Sequence, residues 1–103
     1  MEINQLTITG TVADVLGLRY TPAGVPHFSF VIEHRSRQEQ AGAAREVQCR
    51  IRVEARGEQT VQQCNGLAIS DRVQVSGFLA RAYFKDHAAN QLILNAQQIE
   101  LRT

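Results

Sequence analysis

Six arginines stand between residues 35 and 56, at positions 35, 37, 45, 50, 52 and 56, against three glutamates, Glu39, Glu46 and Glu54, a balance of +3. Residues 1–34 set Arg19 against Glu2, Asp14 and Glu33, a balance of −2, and residues 57–103 balance to zero. The net charge of +1 therefore conceals a cationic middle segment. Ten of the eleven basic residues are Arg and one is Lys85. A guanidinium grips a phosphate with a planar fork of donors and stacks on flat groups, which an ammonium does less well. The chemistry on offer is the holding of a polyanion rather than the making or breaking of bonds. The candidates are Arg35, Arg37, Arg45, Arg50 and Arg52. Tyr83 and Phe84 stand beside Lys85, where a ring next to a cation can stack a base, a contact worth roughly 1–3 kcal/mol. One ring of the two is expected in the core, with Tyr83 the exposed one. The alternative is a solvated face paired with Glu33, Glu46 and Glu54. Surface ion pairs contribute only about 0–1 kcal/mol, which gives stability little reason to demand six arginines.

Other chemistries lack their residues. No nucleophile elbow, phosphate-cradling glycine loop or paired carboxylates occur, so an enzyme is not expected. His27, His34 and His87 lie far apart, and no CxxC or HxxxH spacing exists, so neither a metal nor a cofactor is expected. His34 is in phase with an inward strand face and reads as a satisfied, half-buried histidine. "MEINQLTITG" has no basic start and no apolar core segment, and no apolar run approaches the ~18 residues that a membrane helix needs. A cytoplasmic chain with Cys49 and Cys64 reduced is expected, with no membrane and no small-molecule substrate among its partners. A length of 103 residues suits one domain, 1–103.

The elements that must position these side chains alternate with period two. In "QLTITGTVADV", Leu6, Ile8, Gly10 and Val12 fall on one face and three threonines on the other. "YTPAGVP" reads as a turn. A second strand over about 25–35 buries Phe28, Phe30 and Ile32 and sends Arg35 outward. "SRQEQAGAA" (36–44) reads as a polar loop. "REVQCRIRVEA" points Val47, Cys49, Ile51 and Val53 inward and Gln48, Arg50, Arg52 and Glu54 outward. Gly57–Cys64 suits a short helix, stopped at Asn65-Gly66. "DRVQVSGFLARAYF" resumes alternation, "KDHAAN" is a loop, and "QLILNAQQIELR" closes the chain. In that last strand the inward phase slips between Leu92, Leu94, Ala96 and Ile99, Leu101, which places a bulge near Gln97-Gln98. Mid-strand Gly10 and Gly77 suggest sharp bends. The pattern predicts an all-β, five-stranded Greek-key barrel of the OB type with a short helix between strands 3 and 4. An open antiparallel sheet with one helix is the rival.

"PAGVPHFSFVIEHRSRQEQAG" (22–42) and "LILNAQQIEL" (92–101) resemble primosomal replication protein N, and the likeness runs the length of the chain. That is a family of OB-fold proteins of the replication-restart primosome, similar to single-stranded-DNA-binding proteins. The resemblance implies a homodimer that binds single-stranded DNA, contacts the restart helicase and other primosome proteins, and helps assemble the primosome. Carry-over is best for Arg19, Arg35 and Arg45. Two departures stand out. Ala43 and Gln48 occupy places where the family can have Phe and Trp, and the loop after strand 4 has Lys85 and Asp86 where the family can be lysine-rich. The site expected is thus Arg19, Arg35, Arg37, Arg45, Gln48, Arg50, Arg52, Tyr83 and Lys85, binding single-stranded DNA. The alternatives are a protein-binding adaptor that touches nucleic acid weakly and an RNA-binding barrel. A homodimer is also expected from strand 1, uncharged from Ile3 to Ala13, if it forms an exposed sheet edge.

Overall fold

The computed structural model describes residues 1–82 and 91–102. The alternating segments form β1 (Leu6–Tyr20), β2 (Pro26–Gln40), β3 (Ala43–Arg56), β4 (Arg72–Arg81) and β5 (Leu92–Arg102), with α1 (Glu58–Gln62) between β3 and β4. They close into a barrel in the order β1-β2-β3-β5-β4. β3 and β5 run parallel and every other pair antiparallel. This is the OB barrel that the alternation predicts, and its closure excludes the open sheet.

The core follows from the inward faces. Val12, Phe30, Ile32, Val53, Val73, Val75 and Leu94 are fully buried. Each such side chain contributes roughly 1.5–3 kcal/mol of apolar burial. Two bulges in β1 keep its core face aligned. Register shifts at Ala13 and Leu16 place Val12, Val15 and Leu18 opposite Ile32, Phe30 and Phe28. The core-facing phase there therefore falls on every third residue, not every second, with Val12 buried, Val15 packed against the core and Leu18 left half exposed. The bulge in β5 lies where the phase slip puts it, since Ser76 faces Gln98 while Gly77 faces Ala96. That slip carries Leu94 and Ile99 into the core. Leu92 and Leu101 stay exposed at 51% and 62%, while Ile93, on the outward row opposite Arg52, is buried outside the core cluster.

The two mid-strand glycines are required by close approach. A Cβ at Gly10 would lie 2.7 Å from the Glu33 carbonyl oxygen, and one at Gly77 would lie 1.9 Å from that of Asn95. Only a residue without a side chain lets the strands cross there. Below the barrel, Gly57 at φ 89° turns the chain into α1. Cys64 is buried and Val61 packs against the core. The Gln63 side-chain oxygen accepts the Ile99 amide at 2.7 Å, tying the segment after the helix to the β5 bulge.

Residues 36–44 are not a loop. β2 continues to Gln40, β3 begins at Ala43, and the two pair without interruption from His27↔Arg56 to Gln40↔Ala43. Ala41 and Gly42, at φ 55° and 76°, form the two-residue turn, with the positive φ at both positions that suits a right-twisted hairpin. β1 pairs with β2 only as far as Glu33. From His34 to Cys49 the hairpin is therefore a two-stranded arm leaving the barrel. Fifteen residues of β2 at about 3.3 Å each span roughly 50 Å, matching the molecule's longest dimension of 51 Å. Cys49, expected inward, is exposed because it lies on the arm.

β1 is not the sheet edge on which the homodimer expectation partly rested. Leu6–Thr11 pairs with β4 and Thr11–Tyr20 with β2. Among the described residues, Leu6–Gly10 has a strand partner on one side only.

Candidate nucleic-acid interface

The unbroken register of β2 and β3 decides which side chains share a face. Val31 stands opposite Arg52, Glu33 opposite Arg50, Arg35 opposite Gln48 and Arg37 opposite Glu46. All eight point outward, because their neighbours Phe30, Ile32 and Val53 fill the core. Arg19 joins the same face through its pairing with His27. Thus Arg19, Arg35, Arg37, Gln48, Arg50 and Arg52 share one surface, running from the barrel wall onto the arm. Arg45 does not. It stands opposite Gln38, on the other side of the ribbon, and its guanidinium is hydrogen-bonded to the Gln40 side-chain oxygen. Ala43 lies on that other side too, so it and Gln48 could not form one aromatic platform. Tyr83, Phe84, Lys85 and Asp86 lie outside the described residues.

Glu33 organises the centre of this face. Arg35 donates through Nε at 2.9 Å to Oε1, with its Nη2 2.8 Å from the same oxygen. Arg50 donates through Nε at 3.0 Å to Oε2, with its Nη2 also at 3.0 Å. Hydrogen bonds from Arg35 above all, then from Arg50, hold the Glu33 carboxyl below its ordinary pKa. One carboxylate thus fixes two guanidiniums, and the trio keeps a net positive charge. Around it, Arg37 approaches Glu46 at 4.0 Å and Arg19 approaches Glu54 at 3.8 Å. Arg52 is half-buried rather than fully exposed. Glu33 was visible in the sequence as a possible ion-pair partner, but its grip on two arginines depends on cross-strand register.

His34 is satisfied as its phase implied. Nδ1 lies 2.7 Å from the Thr9 carbonyl oxygen and Nε2 lies 2.8 Å from the Ser36 hydroxyl. It anchors the base of the arm to β1. Burial pushes the Cys64 thiol up to about 11, an inert core group. Among the described residues no cluster of three His, Cys, Asp or Glu side chains comes together to hold a metal, and no helix is long and apolar enough to cross a membrane.

Residues 4–98 match the model of a family described as another single-strand binding protein family. The chain is 41% identical over 101 residues to the replication restart protein PriB of Proteus mirabilis, covering 98% of this chain and 95% of that one. The chain belongs to the replication restart PriB family, among the single-strand-binding-like proteins. The PriB of Photorhabdus laumondii is 40% identical over the same shares of both chains. The solved PriB of Ralstonia solanacearum superposes with a TM-score of 0.81 at 26% identity, covering 99% of this chain and all of that one. The single-stranded DNA-binding protein of Thermus aquaticus shares the fold, with a TM-score of 0.79 at 22% identity over 98% of this chain and 51% of that one. The PriB family resemblance read from residues 22–42 and 92–101 is thereby established, and the OB barrel with it.

Proposed function

We propose that this protein binds single-stranded DNA through the outward face of β1, β2 and β3, as a non-enzymatic accessory protein of the replication-restart primosome. The observation that carries the reading is the alignment of Arg19, Arg35, Arg37, Arg50, Arg52 and Gln48 on one surface of a chain of this family. A cationic OB face tracks a phosphate backbone without reading its sequence. Homodimerisation, contact with the restart helicase and other primosome proteins, a cytoplasmic location and roles for Tyr83 and Lys85 belong to the same reading. The surface suits weak, electrostatic binding that partners reinforce. Its outward rows on β1, β2 and β3 hold no Phe, Tyr or Trp, so stacking, worth roughly 1–3 kcal/mol per base, is missing there.

That same deficit supports a second reading, a protein-binding adaptor, because Glu33 and Glu46 offset part of the positive charge. A titration of fluorescently labelled oligo-dT at two salt concentrations separates the two. Single-strand binding that weakens steeply with salt is expected. No signal at either concentration puts the adaptor first.

A further inference from the structure

We propose that a cleft bordering the arginine face, over β3, β5 and β4, takes one unpaired guanine nucleotide. It has a volume of about 600 Å³ and is lined by Glu54, Arg56, Phe78, Arg81 and Asn95, with Ile93 beside them. That volume lies in the range of small-ligand sites, roughly 300–1,000 Å³. Pairing sets the layout. Phe78 stands opposite Asn95 across β4 and β5, and Asn95 opposite Glu54 across β5 and β3. Two strand spacings separate Phe78 from Glu54, about 10 Å. A purine can lie against the Phe78 ring, which is 38% exposed, and still reach the carboxylate.

Glu54 is the decisive group. It points away from the core yet is only 6% exposed. Among the described residues its carboxylate accepts no hydrogen bond, and the cation within 4.0 Å of it, Arg19, stays 3.8 Å away. A carboxylate with so little exposed surface and no donor on it is free to take a pair of donors from a ligand. Guanine presents two adjacent donors, N1–H and the N2 amine, spaced to fit both carboxylate oxygens. Thymine presents a single N3–H flanked by carbonyl oxygens, which the carboxylate repels. Asn95 donates to the Ile93 carbonyl only at 3.5 Å and has a second amide proton to offer guanine O6. Among the described residues neither Arg56 nor Arg81 has a carboxylate within 4.0 Å, which suits them to phosphate.

The cleft shares no arginine with the Glu33 cluster, and the inference rests on the single-strand reading only for one possible source of the nucleotide. The test is amide NMR of the whole protein with dGMP, dTMP, and the pentamers dTTGTT and dTTTTT. dGMP or dTTGTT should shift the amides of Glu54, Phe78 and Asn95, with the thymine-only counterpart at least about fivefold weaker. Binding of dTTGTT alone locates the guanine in a strand, and binding of dGMP as well locates it in a free nucleotide. Glu54→Gln should erase the preference for guanine, and Phe78→Ala should weaken all binding at the cleft by about fivefold or more. No shift at these amides with any ligand, or equal affinity for guanine and thymine, overturns the proposal. Shifts confined to arm residues with dTTTTT leave the proposed function standing without it, whereas silence at the arm counts against that function separately.

Discussion

Glu33 sets the character of the arginine face, because its two oxygens each hold one guanidinium, Arg35 on one and Arg50 on the other. Replacing it by Gln removes one negative charge beside the strand's path and leaves both arginines on the same register. Glu33→Gln is expected to tighten oligo-dT binding a few fold at low salt, with the gain shrinking as the Debye length falls below about 8 Å. The pH dependence has a definite sign. A carboxyl held below its ordinary pKa stays charged through the usual carboxylate range, so its links to Arg35 and Arg50 are intact at neutral pH. They are lost only as pH falls through that lowered value. Wild type and Glu33→Gln should therefore differ at pH 5 and converge only in stronger acid, and convergence at pH 5 would remove Glu33 from its central place. Gly77 makes a different residue-level prediction. An added methyl would overlap the Asn95 carbonyl oxygen at 1.9 Å, a backbone atom that cannot swing aside. Gly77→Ala should cost stability at the upper end of the about 1–3 kcal/mol range for overpacking, and more than Gly10→Ala, as read by urea unfolding.

The arm formed by β2 and β3 is the element that carries the candidate site, and Gln48 stands on it directly opposite Arg35. Gln48→Trp places a ring on the cationic face, where it is exposed and touches no core group. Oligo-dT binding at fixed salt should tighten by at least a few fold, given the roughly 1–3 kcal/mol that one stacked base contributes. Ala43→Phe, on the ribbon's other side, should add little. An unchanged affinity for Gln48→Trp would mean that bases do not pass over the arm. The barrel part of these strands was legible in the sequence, because a buried face leaves period-two alternation and Gly10 and Gly77 mark the crossings. The arm was legible only in part: Val47 and Cys49 mark a strand from Arg45 onward, but residues 36–44 meet water on both faces, so no apolar alternation signals a strand there and "SRQEQAGAA" looks like a loop. Its turn was hidden as well, since Ala41 takes a positive φ that sequence rules reserve for Gly or Asn. The side of the ribbon on which Arg45 stands was not legible for the same reason: it depends on a hairpin register that the loop reading did not supply.

At the scale of the molecule, Leu6–Gly10 of β1 has a strand partner on one side only among the described residues, and on the other side the Thr9 carbonyl oxygen meets the His34 ring. Leu6, Thr7 and Ile8 at the start of that stretch carry no charge, which offers a second copy an uncharged edge to pair with. A homodimer is expected, and light scattering at micromolar concentration should return twice the 11.5 kDa of one chain. A mass of one chain would show that the open segment does not associate. Two copies would also present two arginine faces to one strand, which adds avidity if both engage.

On the proposed function, single-stranded DNA is held by the outward face of the arm and not by the charge of the chain as a whole. The most direct measurement is the salt dependence of oligo-dT affinity for wild type, for Arg35→Ala/Arg37→Ala/Arg50→Ala, and for Arg45→Ala. All four arginines are exposed, so the fold should persist in each variant. Each lost phosphate contact removes about 0.7 from the log–log slope on single strands, so the triple variant should lose about 2. Arg45→Ala, on the other side of the ribbon, should lose little. A triple variant with the wild-type slope, or an Arg45→Ala variant that falls as far, would contradict the account.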